Sequence, residues 1–343
     1  MTSWQDDAVQ LRDDGKTFPE IARLMREQYH QIFSDEQIRG VYRRRKEGQR
    51  IQKERVTFED IRVSSEGDIE AYLEQVIALQ EAQSTLDTRQ VDAALTIDDN
   101  KPIGIAHTAD WHVGGFGTDL RLLRDDTNRI RDTEGLYSVF LGDAGENYIQ
   151  GAPAGGQFQQ IIQPTQQYEI AEFIMERIQK TLLAAVRGCH DAWSDKQGSH
   201  NFIDQITKNT RVVNLWHGGT LTVNLGNESY RGHLRHKFRG ESQLNPLLPC
   251  RRMMEHYGVV DWAALAHKHF CAMQQSQMAG QDVLFLRPGS YKVLDDFGQQ
   301  IGGYAGLPRT PVIILYPDTH RVDGYLTLNA GIEALRYARG ATA

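Results

Sequence analysis

Apolar residues recur at helical spacing near the start of the chain and predict three short helices. The first amphipathic segment ends at Gly15, the second starts at Thr17 and the third starts at Ser34. The second and third starts each have Glu or Gln three residues later, which is the spacing of a capping box. The pattern therefore predicts a small all-α N-terminal domain over residues 1–55.

Residues 56–100 are predicted to be a helical connector. Within them, Asp68–Leu86 has apolar side chains at helical intervals among Glu and Gln, so it forms an amphipathic helix. This helix either packs on the domain that follows or pairs with a second copy of itself in a homodimer. The turn-like stretch Ile97–Pro102 marks entry into the main domain.

From residue 101 to 343 strand-like apolar runs alternate with helical ones, which predicts an α/β domain. Five of these runs end directly before acids, histidines or a cysteine. In an α/β sheet such strand ends converge on one edge, where ligands bind. Two later stretches, VLFLRPGSYKVLDDFG and PVIILYPDTHRVDGYLTL, are expected to be strands of the second sheet. His320, in the turn-like PDTH segment of the latter, is expected to be exposed and inert.

Composition narrows the class of protein. The chain of 343 residues is 40% apolar and 24% charged, which excludes wholesale disorder. No apolar stretch approaches the ~18 residues of a membrane span, and the N-terminus lacks a hydrophobic signal core. The three cysteines are too scattered for a disulfide framework and fit a reducing compartment. We therefore expect a cytoplasmic protein without a membrane partner.

The net charge of −7 hides a local basic run. Residues 39–55 contain eight Lys or Arg and two Glu, and Arg43, Arg44 and Arg45 lie on the third predicted helix. Three helices with a basic third one predict a helix-turn-helix-like module that binds DNA through these arginines. The alternative is that the basic face is solvated or packs on acidic residues of the same chain.

The polar residues at the strand ends suit a two-metal hydrolase. Asp110 and His112, like His267 and His269, are two residues apart, so on an extended strand end both side chains share a face. Asp143 ends the next apolar run. Two cations need a bridging carboxylate, flanking imidazoles and room for a shared hydroxide. The pattern therefore predicts two divalent cations, with Mn²⁺ preferred and Zn²⁺, Fe²⁺ or Mg²⁺ as alternatives.

The order of these motifs resembles the calcineurin-like metallophosphoesterases. Between residues 103 and 328 the chain has D-x-H, GD, a GCHD element in place of GNH[D/E], a lone His and an AHxH pair. The resemblance implies a four-layer αββα sandwich with its metal site at strand ends between two sheets. The implied ligands are Asp110, His112 and His269 for the first metal, Asp143 for both metals, and Cys189, His236 and His267 for the second metal.

The resemblance also implies a mechanism. A metal-bridging hydroxide attacks phosphorus in line with the ester oxygen, and His190, supported by Asp191, gives a proton to the leaving group. Lys237 and Arg239 either clamp a phosphate or only make their loop soluble. Trp111 either stacks on a base or packs beside the strand end.

Two ligand positions remain open. Cys189 stands where the family usually has Asn, so it is either a thiolate ligand that favours Zn²⁺ or Fe²⁺, or a buried bystander. His236 is preferred to His233 as the lone histidine because it lies at the end of its strand, and His217 is a weaker alternative.

The resulting function is a dinuclear metal-dependent phosphodiesterase, specifically a nuclease acting on DNA. A phosphomonoesterase or a cyclic-nucleotide phosphodiesterase is the closest alternative, because the same metal centre serves all of them. A DNA-binding protein with a degenerate phosphoesterase domain is the alternative outside enzymes. The domain combination would suit a bacteriophage or mobile-element protein.

Overall fold

The computed structural model divides the chain into two compact units, residues 1–86 and 87–343. The residues that it describes are 4–53, 66–86, 92–149, 156–198, 201–242, 244–294 and 307–340. No helix within these ranges combines the length and the apolar character that a membrane span requires.

The first unit begins with three packed helices, as the sequence predicts. Its helices are α1 (Trp4–Asp13), α2 (Phe18–Tyr29), α3 (Asp35–Lys53) and α4 (Glu66–Leu86). Ile21 and Met25 of α2 meet Ala8 of α1 and Ile38 of α3 in a small apolar core. Both capping boxes form, because the Thr17 N–H donates to Glu20 and the Ser34 N–H donates to Gln37.

The basic face of α3 is partly paired within its own unit. Arg45 forms an ion pair with Asp6, and Lys46 forms one with Asp13. Arg43 and Arg44 are exposed. The two interpretations of the basic run thus apply to different residues, since part of the face meets acidic side chains and part faces solvent.

Helix α4 exposes much of its apolar side. Among its described side chains, Ile69 is 59%, Tyr72 67% and Leu79 59% exposed. The helix predicted from the amphipathic pattern is confirmed, and its pairing with a second copy remains a prediction.

The second unit contains two sheets. Its described strands are β1 (Asp92–Ile97), β2 (Ile103–Thr108), β3 (Leu136–Phe140), β4 (Leu182–Ala185), β5 (Val213–Asn214), β6 (Gly218–Leu225), β7 (Glu228–Arg235), β8 (Trp262–Leu265), β9 (Ala272–Met278), β10 (Gln281–Arg287), β11 (Val312–Leu315) and β12 (Val322–Tyr325). Its described helices are α5 (Leu120–Asp132), α6 (Pro164–Ile178), α7 (Asp191–Gly198), α8 (Phe202–Thr207), α9 (Leu248–Tyr257) and α10 (Leu328–Ala338). Sheet I has the strand order β12-β11-β2-β3-β4-β5, and sheet II has the order β1-β6-β7-β8-β10-β9.

The two sheets are the inner layers of a four-layer sandwich. Ile105 of β2 and Ala264 of β8 both point into one apolar core between the sheets. The next residue along each strand points outward: Ala106 packs against α10, and Leu265 packs against α9. Helices α5, α6 and α8 cover the rest of the outer face of sheet I. Because both faces of these strands are buried, they read as continuous apolar runs. The predicted αββα fold class is confirmed.

Two strand assignments differ from the sequence prediction. β1 lies within the segment predicted as a connector, yet it pairs in parallel with β6, so sheet II begins before residue 101. β11 and β12 were predicted in the second sheet, but β11 pairs with β2 in sheet I. Neither partner is near in sequence, so local patterning carries no signal for these pairings.

Strand direction places the site. β2, β3 and β4 run parallel in sheet I, and β7 and β8 run parallel in sheet II. The carboxyl ends of parallel strands meet at the same edge of a sheet. The polar residues that follow these five strands are therefore brought to one edge of the sandwich.

His320 joins the two sheets at the opposite edge. Its Nδ1 lies 3.0 Å from Glu228 Oε2 and its Nε2 lies 2.9 Å from Asp261 Oδ1, while its ring stacks on Tyr230 at a centroid distance of 4.7 Å. His320 is exposed, as expected, but both of its ring nitrogens meet carboxylates, so it contributes to the contact between the two sheets.

We expect the stabilising effect of His320 to depend on pH. The Asp261 hydrogen bond, helped by Glu228, holds the pKa of His320 above its ordinary value. A raised folded-state pKa gives stability that is fully present below the unfolded pKa and lost as pH rises through the folded one. His320→Gln should lower the melting temperature more at pH 5.5 than at pH 8.5. Thermal unfolding of both proteins at both pH values measures this, with His256→Gln as an exposed control; an equal loss at both pH values would refute it.

Candidate metal centre

The first group of candidate ligands comes from the ends of β2 and β8. Asp110, His112 and His269 each offer an atom, and these atoms lie within 4.8 Å of one another. His112 Nε2 and His269 Nε2 are 3.0 Å apart. The three residues that the resemblance implies for the first metal are therefore together.

The second group comes from the ends of β4, β7 and β8. Cys189, His236 and His267 each offer one atom, and these atoms also lie within 4.8 Å of one another. His236 donates its Nδ1–H to the Leu141 carbonyl at 2.8 Å, which leaves Nε2 to face the group. His233, the alternative, instead lies 3.2 Å from Thr220 and stacks on an aromatic ring elsewhere. The structure thus brings His236, not His233, to Cys189, and the thiol lies where a ligand would.

Asp143 lies between the two groups. It shares one cluster with His112 and His190 and another with Asp110 and His236. Its Oδ1 accepts the backbone N–H of His190 at 2.7 Å, and its Oδ2 lies 3.2 Å from His236 Nε2. Burial would raise the pKa of Asp143, but His236 and His190 hold it well below its ordinary value. This placement fits a carboxylate shared by two cations.

Asp191 supports the backbone around this site. Its carboxylate accepts N–H groups from Asp143 at 2.9 Å, from Ala144 at 3.0 Å and from Gly188 at 2.9 Å. A Cβ on Gly188 would come within 2.0 Å of Asp143 Oδ1, so only glycine allows this close approach. The predicted support of the His190 ring by Asp191 is corrected: Asp191 fixes the turn that carries Asp143.

The His190 ring is held by a different partner. Its Nδ1 donates to the Glu146 carbonyl oxygen at 2.6 Å, so Nε2 is the nitrogen available for proton transfer. Trp193 covers the ring at a centroid distance of 4.0 Å, and Tyr148 contacts its edge at 5.3 Å. Trp111 is fully buried against other side chains, so of its two alternatives the structure agrees with packing beside the strand end.

The donor set fits divalent cations. Asp110 Oδ1 is fully buried and accepts no hydrogen bond from the described residues. Burial raises the pKa of Asp110 to about 6. Buried carboxylates are stable when they are paired or bind a metal, and two imidazole nitrogens that face each other at 3.0 Å suit a shared cation. Carboxylate, imidazole and thiolate together are compatible with Zn²⁺ or Fe²⁺, and the group without Cys189 also suits Mn²⁺.

Five of the candidate ligands have a left-handed backbone. Their φ angles are +48° at Asp110, +44° at His112, +60° at Asp143, +78° at His267 and +55° at His269. This conformation costs a residue other than glycine about 1–2 kcal/mol. The paired candidate ligands therefore converge through tight turns beyond the strand ends, and the expectation that each pair shares one face of an extended strand is wrong.

Sequence reasoning did not assign a role to two charged residues here. Glu146 Oε2 lies 3.0 Å from His112 Nδ1, and Lys292 Nζ lies 2.5 Å from Glu146 Oε1. Glu146 follows the GD motif at a spacing that could have been noticed. Lys292 lies 146 residues further on, in a stretch that resembles an ordinary turn, so the sequence carries no signal for it.

The two predicted phosphate clamps are placed differently. Burial and, to a smaller extent, the nearby ammonium group of Lys237 lower the pKa of His267 to about 3. Lys237 itself is exposed. Arg239 Nη2 lies 3.2 Å from His256 Nδ1, beside α9. Of the pair, Lys237 is thus the one beside a candidate ligand.

Comparison with known proteins gives matches to solved structures only. No family model and no curated protein sequence matches the chain. The calcineurin-like phosphoesterase YfkN from Bacillus subtilis is 11% identical, with 71% of this chain and 97% of that one covered and a TM-score of 0.39. A metallophosphoesterase from Sphaerobacter thermophilus is 14% identical, with 70% and 95% covered and a TM-score of 0.32. Vps29 from Entamoeba histolytica in complex with Zn²⁺ is 15% identical, with 65% and 98% covered and a TM-score of 0.31.

Proposed function

We propose that this chain is a calcineurin-like metallophosphoesterase that hydrolyses phosphodiesters, and that its physiological substrate is DNA. The observation that carries the proposal is the convergence of the ligand groups on Asp143. A carboxylate flanked by imidazoles on both sides is the arrangement that a pair of cations requires. The cations, when bound, supply a nucleophile from water near neutral pH and positive charge against the phosphate oxygens.

The chain's own residues position the reaction. Asp143 and His236 are kept in place by backbone contacts, so the donor atoms are in position before substrate binds. The ring of His190 is oriented by the Glu146 carbonyl, and its Nε2, once it has taken up a proton, can give that proton to the departing oxygen. Lys237, exposed beside His267, can pair with a phosphate oxygen of the substrate.

A screen of metals against substrates tests the activity. The full chain is incubated with Mn²⁺, Zn²⁺, Fe²⁺ or Mg²⁺ and with duplex DNA, single-stranded DNA, a cyclic nucleotide, bis-p-nitrophenyl phosphate or p-nitrophenyl phosphate. Cleavage of DNA and of the diester supports the proposal. Cleavage of only the monoester or only the cyclic nucleotide would instead assign those activities, and no cleavage with any metal would indicate a degenerate domain.

We also propose that the N-terminal helices bind DNA. Arg43 and Arg44 are exposed on α3, whereas Arg45 already pairs with Asp6. Arginine side chains that contact phosphates release counterions, so each contact adds about 0.9 to the slope of log affinity against log salt. This predicts that Arg43 and Arg44 carry the electrostatic part of the binding.

The double variant Arg43→Ala/Arg44→Ala should bind duplex DNA more weakly, with a salt slope shallower by about 2. Fluorescence anisotropy across a salt titration measures this. The matched control is Arg23→Ala/Arg26→Ala, which removes the same charge from exposed positions of α2. Equal losses in both double variants would show that only net charge matters, and an unchanged slope in the first would contradict the assignment.

A further inference from the structure

A chain of buried ionic contacts leads into the first ligand group. Lys292 is 4% exposed, and its Nζ lies 2.5 Å from Glu146 Oε1. The other oxygen of that carboxylate lies 3.0 Å from His112 Nδ1, and both of these side chains are 1% exposed. The far nitrogen of the same imidazole, Nε2, faces His269. The contacts thus connect a lysine after β10 with a candidate ligand after β2.

The backbone around Lys292 is bonded to the same strand end. Its N–H donates to Ser290 Oγ at 2.9 Å, and the Ser290 hydroxyl donates to the Asp110 carbonyl at 2.9 Å. The Tyr291 N–H donates to that carbonyl as well, at 3.1 Å. The position of the ammonium group is therefore fixed relative to the D-x-H turn rather than set by a flexible side chain alone.

Glycine keeps the Glu146 carboxylate in reach. A Cβ on Gly115 would lie 2.9 Å from Glu146 Oε2, so a side chain at residue 115 would force the carboxylate to move from this place. The carboxylate thus lies against the turn on one side and against Lys292 on the other.

We propose that Lys292 is a positioning residue for the first cation: it anchors Glu146, and Glu146 in turn fixes the ring orientation and tautomer of His112. The inference rests on the metal centre of the proposed function. A carboxylate 3.0 Å from Nδ1 favours the tautomer that carries its proton there, and that tautomer presents the lone pair of Nε2 to a metal. The carboxylate does this well only if its other oxygen is held, because an unanchored group can rotate away.

Cation binding without substrate tests the inference. Partners of this kind typically change metal affinity 10–100-fold. The full chain is titrated in a calorimeter with Mn²⁺ alone and with Zn²⁺ alone. In each titration, Lys292→Met should lower the affinity for one of the two bound ions by about that factor and leave the affinity for the second ion unchanged. If circular dichroism shows that Lys292→Met is unfolded, Lys292→Gln takes its place.

A double-mutant cycle separates positioning from general stability. If Lys292 acts through Glu146, Lys292→Met/Glu146→Gln loses no more cation affinity than Glu146→Gln alone. In ¹⁵N-histidine spectra of the same variants, the His112 signal should shift from a single Nδ1–H tautomer to a mixture. Arg287→Met is the matched control: it removes a fully buried cation that pairs with Glu241 at 3.2 Å, and cation affinity should not change.

Wild-type affinity for both cations in folded Lys292→Met overturns the inference, and so do additive losses in the cycle. Hydrolysis is not measured here, which keeps the two proposals separable. A chain that shows the expected affinities but cleaves no phosphoester contradicts the proposed function alone. Hydrolysis with cation binding independent of Lys292 contradicts this inference alone.

Discussion

Asp143→Asn is expected to abolish hydrolysis and cation binding together. The substitution keeps the shape of the side chain but removes the charge that two cations would share. We expect kcat/KM for a diester to fall by at least about 10³-fold, which is about 4 kcal/mol of transition-state stabilisation. Steady-state kinetics and metal analysis of the same preparation measure both losses.

Asp323→Asn provides the control for this substitution. Asp323 lies on β12 and pairs with Arg321, the residue before that strand. It is level with the start of β2, which is the edge opposite the site. It should keep both activity and metal content. An Asp143→Asn protein that retains two cations would exclude a bridging role for this carboxylate.

His190→Ala is expected to lower kcat by about 10²–10⁴-fold while metal content stays nearly unchanged. The ring is oriented by a backbone carbonyl and leaves Nε2 for proton transfer, so its removal takes away a proton donor rather than a bridging ligand. Turnover numbers and metal analysis of the same sample distinguish the two roles.

His190 also clusters with His112 and Asp143, so a ligand role makes an opposite prediction. Loss of a cation in His190→Ala, to the extent seen in Asp143→Asn, would reassign His190 as a ligand. His256→Ala, which removes an exposed imidazole on α9, should alter neither turnover nor metal content.

The positions of the candidate ligands were predictable because each follows an apolar run. Asp110, Asp143 and His267 come directly after strands that are buried on both faces, and such strands are visible in a single sequence. Parallel strands then bring their carboxyl ends together. Neither inference needs any knowledge of distant contacts, so the sequence was sufficient to place these candidate ligands at one edge of the sandwich.

The supporting residues were not predictable in the same way. Lys292 reaches Glu146 only because β10 lies beside β8 in sheet II, and Asp191 turns its carboxylate to the backbone of Asp143 rather than to the adjacent His190. Both facts depend on how the elements pack. A residue's type and its neighbours in sequence do not determine which of several nearby polar groups it will meet.

The two halves of the basic run illustrate the same limit. Arg43, Arg44 and Arg45 are consecutive and chemically identical, yet only Arg45 forms an ion pair with Asp6. Successive helical residues point about 100° apart, so one can face α1 while its neighbours face solvent. The sequence predicted a basic helix, and the packing of α1 against α3 decides which charges remain exposed.

The left-handed backbone at the five ligand residues has an evolutionary consequence. At such positions glycine is less costly than aspartate or histidine, so substitutions that end the chemistry would also make the fold more stable. A lineage that had abandoned catalysis would therefore be expected to drift toward glycine or asparagine there. This chain has Asp110, His112, Asp143, His267 and His269 instead, each at an energetic disadvantage.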